Sequence, residues 1–198
     1  MAFLEGISLG EQINCMKEKK ENYEETRIWK IVLQLIQALR YLHKSKGIIH
    51  RDLTPYNIII GDNDYVTITD FGLAKQRLLE SRSGDARSIL GTLTYNHNYN
   101  SNINFVSFSP EVIQHHPYGE KADIWALGCI VYQICTLSPP FTAQSELDLV
   151  NKICQGEYKK VDQFISTFTR QRLEFSFKMK AFIENAIVVD PKYRYDVL

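Results

Sequence analysis

The chain has 198 residues, of which 44% are hydrophobic, enough apolar material for the core of one globular domain. Lysine and arginine together number 23, as do aspartate and glutamate, so the net charge is zero and a general electrostatic affinity for nucleic acids or anionic membranes is excluded. The four cysteines lie far apart and form no C-x-x-C pair, which argues against a zinc cluster or a redox couple.

The sequence carries no signal for export or membrane insertion. Met1 is not followed by a basic segment and a long apolar run, and no window of about 18 uncharged apolar residues occurs later. We therefore expect a cytoplasmic protein without membrane contact, and a nuclear or cytoskeletal position is left open.

The first third of the chain is predicted to form two helices and then short strands. An amphipathic helix is predicted over residues 9–19 and a longer, buried helix over 26–43, because apolar residues recur there every three or four positions. The β-branched runs 48–49, 58–60 and 66–69 are separated by glycine, proline and polar turn residues, which is typical of small strands.

The rest of the chain is predicted to be one long loop followed by helices. Residues 76–108 show neither a helical nor a strand period, and loops of such length are usually functional or disordered. Helices are predicted over 122–136, 146–154 and 177–188, with prolines after the first and the last. The sequence thus predicts a single, mainly α domain with small β elements over residues 1–198.

Three short polar side chains stand at the ends of these elements. Asp52 and Asn57 lie on a turn after the long helix, and Asp70 follows on a second turn after a strand. Mg²⁺ prefers hard oxygen ligands and is usually held by one or two side chains together with substrate phosphates. Each residue alone more often caps local backbone, but their joint spacing favours a magnesium-phosphate site in which Asp52 faces a substrate hydroxyl.

Four motifs in one order resemble the eukaryotic protein kinases. They are His50, Arg51 and Asp52 followed by Asn57; Asp70, Phe71 and Gly72; Ser109, Pro110 and Glu111; and the run from Asp123 to Gly128 that contains Trp125. The resemblance implies a protein-kinase-like fold, specifically its C-lobe. It also implies ATP and Mg²⁺ as cofactors and a protein substrate with a serine or threonine hydroxyl, tyrosine being left open.

The same resemblance implies a role for each of these residues. Asp52 would be the catalytic base, Asn57 and Asp70 the magnesium ligands, and the remainder would support the active arrangement or the activation segment. The implied supporting residues are His50, Phe71, Gly72, Asp123, Trp125 and Arg194. The implied activation segment covers about 70–111, and the residues that would belong to it or contact it are Arg51, Ser88, Thr92 and Glu111. Arg194 would pair with Glu111, and Arg51 would meet a phosphate.

The resemblance is most specific to the NIMA-related kinases, and within them to a divergent member. It is carried by Thr54 and by residues 117–125 and 136–141. Residues 3–6 resemble the hinge of that family. On that alignment the backbones of Ala2 and Leu4 would bind adenine, Ser8 would lie near ribose and Ile59 would form the adenine floor. Ordinary chain entry and core packing remain the alternative for each of these four.

The sequence also departs from the kinase pattern. It contains no G-x-G-x-x-G loop, no strand lysine and no partner glutamate, so we expect a C-lobe without an N-lobe. Because those parts position the phosphates, we expect negligible activity from the isolated chain. The alternative is a catalytically silent binding or scaffold module that docks a partner on the C-lobe through Pro139, Pro140, Phe141 and the following helix.

A second departure lies in the activation segment. Thr92 and Pro110 are 18 positions apart where the family pattern has six, which leaves 12 additional residues within about 96–108. This stretch is rich in asparagine and has no core-building pattern. A retained intron and a functional insert both explain it.

Overall fold

In the computed structural model, residues 5–76, 107–164 and 173–196 are described, and they form a mainly helical fold with two small sheets. The first helix, α1 (Leu9–Lys19), has the predicted bounds. Its start is fixed by a reciprocal cap, in which the Glu11 amide donates to Ser8 Oγ at 3.1 Å and the Ser8 amide donates to Glu11 Oε2 at 2.9 Å. The helix ends at Lys20, whose φ of 59° is left-handed.

The second helix, α2 (Glu25–Arg40), buries one apolar face: Ile28, Ile31, Val32, Leu35 and Leu39. The predicted helix over 26–43 is therefore present, but its predicted end is wrong. The chain continues as a π-helical turn, Tyr41–Lys46, which Gly47 ends with a φ of 62°. Apolar spacing cannot distinguish this wider turn from the last turn of an α-helix.

Two antiparallel sheets follow. One joins β1 (Ile7–Ser8), β3 (Ile58–Ile60) and β4 (Val66–Ile68), and the other joins β2 (Ile48–Ile49) and β5 (Lys75–Gln76). The strands predicted over 48–49 and 58–60 are confirmed, and the one over 66–69 is a residue shorter. Gln76 was predicted to begin the long loop and instead pairs with Ile48. Most of that loop, residues 77–106, lies outside the described residues.

The second half of the chain contributes four α-helices to the described part, besides the 3₁₀ turns Val161–Gln163 and Pro191–Tyr193. The α-helices are α3 (Pro110–Ile113), α4 (Glu120–Thr136), α5 (Glu146–Gln155) and α6 (Phe177–Ala186). The helices predicted over 122–136, 146–154 and 177–188 are confirmed, with shifted ends. The last one stops two residues early because Ile187 is no longer helical and the carbonyl of Val188 turns to Arg194.

Helix α4 is the centre of the fold and is buried on nearly all sides. It packs against α2 and α6, and the Trp125 ring stacks on Phe141 at 5.6 Å with an interplanar angle of 6°. Across the described residues, no helix has the length and apolar character needed to span a bilayer.

Phe141 is 1% exposed and Pro140 is buried, so the predicted docking surface cannot include them. The outer face of α5 is exposed, with Leu147 at 69%.

Candidate active site

The loop of residues 50–57, called here the catalytic loop, is anchored to α4 by Asp123. The Asp123 carboxylate is buried and accepts the backbone amides of His50 and Arg51, each at 2.9 Å. It also lies 2.7 Å from Nε2 of His43, on the π-helical turn. A buried carboxylate that accepts several hydrogen bonds is strongly fixed, so Asp123 fixes the backbone of the two residues before Asp52.

Within this loop, Asn57 orients Asp52. The short 3₁₀ turn Pro55–Asn57 is closed by the Asn57 amide, which donates to the Thr54 carbonyl at 3.1 Å. The side-chain Nδ2 of Asn57 then donates to the carbonyl of Asp52 at 2.7 Å and to its Oδ2 at 3.2 Å. The Asp52 carboxylate is thereby tied to the turn that carries Asn57.

A second set of contacts brings Asp70 to the same place. Thr69, the residue before it, donates both its amide, at 2.9 Å, and its hydroxyl, at 3.2 Å, to the carbonyl of Asn57. Asp70 itself has a left-handed φ of 59°, and its Oδ1 accepts the Gly72 amide at 3.1 Å. Such backbone is costly for a residue with a side chain, and Asp70 is exposed.

His50 and Phe71 link the two loops from behind. The His50 ring is fully buried, and its Nε2 lies 3.0 Å from the carbonyl of Thr69, so this nitrogen carries the proton. The His50 and Phe71 rings meet edge to face at 4.9 Å. The catalytic loop and the turn bearing Asp70 are therefore in direct contact through these two rings and the Thr69 carbonyl.

This arrangement suits a magnesium ion. Because Nδ2 of Asn57 is engaged with Asp52, its Oδ1 is the atom left for a cation, and the Asp70 carboxylate supplies a second hard oxygen. Among residues 5–76, 107–164 and 173–196, no group of three or more His, Cys, Asp or Glu could hold a metal. Two protein oxygens with the remaining positions open is the donor set expected for magnesium carried by a phosphate ligand.

Arg51 contacts a residue that the sequence reasoning missed. Its Nη2 donates to the hydroxyl of Tyr118, and its guanidinium carbon lies 5.1 Å from the centre of that ring. Burial raises the pKa of Tyr118 above its ordinary value of 10.0, although the charge of Arg51 opposes the shift. Ser88 and Thr92, the predicted partners of this region, lie outside the described residues. No local signal in the sequence marks Tyr118 as a partner of Arg51.

Glu111 and Arg194 form the pair that the motifs implied. Nη1 and Nη2 of Arg194 donate to the two carboxylate oxygens of Glu111 at 2.7 and 3.0 Å, and both side chains are buried. The guanidinium also lies 5.1 Å from the centre of the Trp125 ring. This pair ties α3 to the C-terminal segment and to α4.

Two of the four predicted nucleotide-binding residues are described, and they are neighbours. Ser8 pairs with Ile59 in the sheet formed by β1, β3 and β4. The Ser8 hydroxyl is engaged by Glu11 at 2.7 Å as part of the α1 cap, so its position near ribose stays a prediction. Ala2 and Leu4 lie outside the described residues.

Comparisons with known proteins agree on one family. The chain matches the model of the protein kinase domain over residues 1–197. The serine/threonine-protein kinase Nek10 of Mus musculus is 44% identical over 198 residues, which cover all of this chain and 16% of Nek10; Nek10 of Homo sapiens is also 44% identical, with 15% of it covered. The serine/threonine-protein kinase D1044.8 of Caenorhabditis elegans is 39% identical, with 18% covered. The chain thus spans less than a fifth of the length of these relatives.

Proposed function

The chain belongs to the protein kinase family, and on that premise we propose that it carries the catalytic residues of an ATP-dependent serine/threonine kinase. Asp52 is the base that accepts the proton of the substrate hydroxyl, and Asn57 and Asp70 hold the magnesium ion. The resemblance to the NIMA-related kinases is confirmed by the identity to Nek10.

The observation that carries this proposal is the joint orientation of the three side chains. Asn57 holds Asp52 through Nδ2, and its own carbonyl accepts two hydrogen bonds from Thr69, next to Asp70. Asp52 and Asn57 are thus fixed to each other, and Asp70 is held beside them through Thr69, which supplies the preorganisation on which phosphoryl transfer depends.

Each residue has a distinct task in this proposal. Asp52 orients the attacking hydroxyl and takes up its proton as the hydroxyl oxygen bonds to the γ-phosphorus of ATP, while the bond from that phosphorus to the bridging oxygen breaks and ADP leaves. The oxygens of Asn57 and Asp70 bind the cation, which, when bound with ATP, offsets the charge on the phosphate oxygens. His50 and Asp123 touch no reacting atom and hold the loop.

A titration with a fluorescent ATP analogue, with and without Mg²⁺, tests the metal-ligand roles. The signal should depend on Mg²⁺ and should be lost in Asp70→Ala, because one of the two protein oxygens is then missing. Asp62→Ala is the matched control, since Asp62 is an exposed aspartate at the far end of the same hairpin. An equal loss in both variants, or a signal indifferent to Mg²⁺, contradicts the proposed site.

Transfer itself is tested with Mg·ATP and a general protein substrate, using a longer kinase chain that includes these 198 residues. Asp52→Asn should lower kcat by about 10³-fold or more while the titration signal persists, because the base acts on the hydroxyl and not on the nucleotide. For the 198 residues alone we expect negligible transfer. Full activity of Asp52→Asn would refute its role. Metal-dependent nucleotide binding without transfer in the longer chain would favour the silent binding module.

A further inference from the structure

We propose that Tyr118 is a positioning residue for Asp52: its hydroxyl and ring hold the Arg51 side chain, and this fixes the catalytic loop without a bound phosphate. The inference rests on the proposed function, because it assigns Asp52 a catalytic task, but its structural part is independent of activity. Tyr118 lies between α3 and α4, one residue before the Gly119 cap of α4.

The first step concerns the charge of Arg51. Within the described part of the chain, no carboxylate lies in ion-pair distance of its guanidinium, and its Nε is buried without a hydrogen-bond partner. The contacts that this cation does make with a side chain are those with Tyr118, through the hydroxyl and over the ring. A cation over an aromatic face is stabilised by the ring quadrupole, more so when partly desolvated.

The second step concerns the backbone of Arg51. Its φ of 74° is left-handed, which is costly for a residue with a long side chain and persists only where surrounding contacts impose it. Asp123 holds the amide at 2.9 Å, and Tyr118, five positions earlier in the same segment, holds the guanidinium. Arg51 is thus held at its backbone and at the end of its side chain by one segment, and Asp52 is the next residue.

The third step concerns the chemistry of the partner. The phenol of Tyr118 stays neutral at physiological pH, since burial raises its pKa. A neutral hydroxyl accepts a hydrogen bond from arginine without any covalent modification of the residue. The catalytic loop therefore has a resident, uncharged partner for the Arg51 guanidinium.

Single-residue amide hydrogen exchange on this protein tests the structural part. Tyr118→Phe should speed exchange of the His50 and Arg51 amides by about fivefold or more, since a hydrogen bond to a charged group is lost. Amides within α4 should not change. Tyr132→Phe is the matched control, because it removes a hydroxyl from α4 that donates to the Lys159 carbonyl, away from the catalytic loop.

Repeating the experiment in an Arg51→Gln variant shows whether Tyr118 acts on the catalytic loop through Arg51 or stabilises the fold in general. In Arg51→Gln, Tyr118→Phe should have no further effect on the exchange of the His50 amide, because Tyr118 acts through Arg51. The inference is overturned if the His50 and Arg51 amides are unchanged in Tyr118→Phe, if α4 amides accelerate equally, or if the effects of the two substitutions simply add.

Kinetics supply the functional readout. Tyr118→Phe should lower kcat about fivefold with an unchanged KM for ATP, and phosphatase treatment should leave the wild-type kcat intact while Tyr132→Phe behaves as wild type. A wild-type kcat abolished by phosphatase overturns the inference. If wild type shows no more transfer than Asp52→Asn, the proposed function fails, and the exchange experiment still decides whether Tyr118 positions the loop.

Discussion

At the scale of single residues, Arg194 shows how a buried charge is accommodated. Each nitrogen of its guanidinium donates a hydrogen bond: to the Glu111 carboxylate, and to the carbonyls of Lys121, Val188 and Val189. The planar fork of arginine matches this set of acceptors, which a lysine could not do. Arg194 therefore joins α3, the start of α4 and the chain after α6.

Replacing Arg194 should be strongly destabilising. Arg194→Met leaves the Glu111 carboxylate buried without its partner and removes the hydrogen-bond donor of three backbone carbonyls. The free energy of unfolding should therefore fall by about 3–5 kcal/mol. Urea denaturation followed by circular dichroism measures this. Glu184→Gln is the control, since Glu184 meets Lys160 at 3.3 Å with both side chains about half exposed, and it should change stability by less than about 1 kcal/mol. Similar losses in the two variants would contradict the account of Arg194.

The residues that could be predicted from sequence are those with a motif around them. Asp52, Asn57 and Asp70 stand in recognisable spacing, and the structure brings them together through Thr69. Thr69 and Tyr118 were missed because their contacts form only when separate segments meet. A threonine in a β-branched run and a tyrosine before a glycine carry no local sign of such a partner.

At the scale of elements, the packing of α4 on α6 depends on one glycine. A Cβ on Gly128 would lie 2.7 Å from the Cβ of Ala186 and 2.9 Å from Cγ1 of Ile187. Both distances are shorter than ordinary contact, and Ala186 is itself fully buried. The two helices can approach this closely only because position 128 has no side chain.

Gly128→Ala should therefore destabilise the fold in spite of the better helix propensity of alanine. The added methyl must push α6 away, and overpacking of a buried site typically costs about 1–3 kcal/mol. Thermal unfolding compared with Gly119→Ala, at the start of the same helix, is the measurement. A Cβ at Gly119 meets nothing within 4 Å, so Gly119→Ala should lose only the small stability difference between glycine and alanine at a helix N-cap. A Tm for Gly128→Ala equal to or above that of the wild type would refute the close-packing argument.

Element bounds were predictable where a local signal fixes them. The Ser8 and Glu11 cap gives α1 its start, and this pair is readable from sequence. The strands β1 and β5 are each two residues long, and they form only because β1 pairs with β3 and β5 pairs with β2. Two residues are too few to show the alternating pattern that predicts a strand. The π-helical turn after α2 was missed for the related reason that the apolar spacing continues through it.

At the scale of the whole molecule, the described parts near the two ends of the chain are joined. Glu25, at the start of α2, accepts the amide of Ser176 at 2.8 Å, the Ser176 hydroxyl, and Nε1 of Trp29 at 3.0 Å. Ser176 is in turn the cap of α6 and accepts the Met179 amide at 3.3 Å. One carboxylate thus connects the first long helix with the last described one.

This junction predicts a dependence of stability on pH. Burial alone would raise the pKa of Glu25, but the hydrogen bonds from Ser176 and Trp29 and the charge of Lys180 outweigh it and lower the pKa below its ordinary value of 4.5. A carboxyl whose pKa is lower in the folded state contributes stability that is fully present above 4.5 and is lost as pH falls through the folded value. The junction should therefore hold at neutral pH and open in acid.

Urea unfolding at a series of pH values between 7 and 3 tests this expectation. Glu25→Gln should lower stability at pH 7 and flatten the acid decline, because the variant has no proton to gain at that position. Ser176→Ala should weaken the same dependence while leaving the carboxylate in place. Glu24→Gln is the matched control, since it removes an exposed carboxylate from the neighbouring position and should keep the wild-type profile. If Glu25→Gln and Glu24→Gln give the same profile, α2 and α6 are held together by their apolar contacts, such as that between Trp29 and Phe182, and not by this carboxylate.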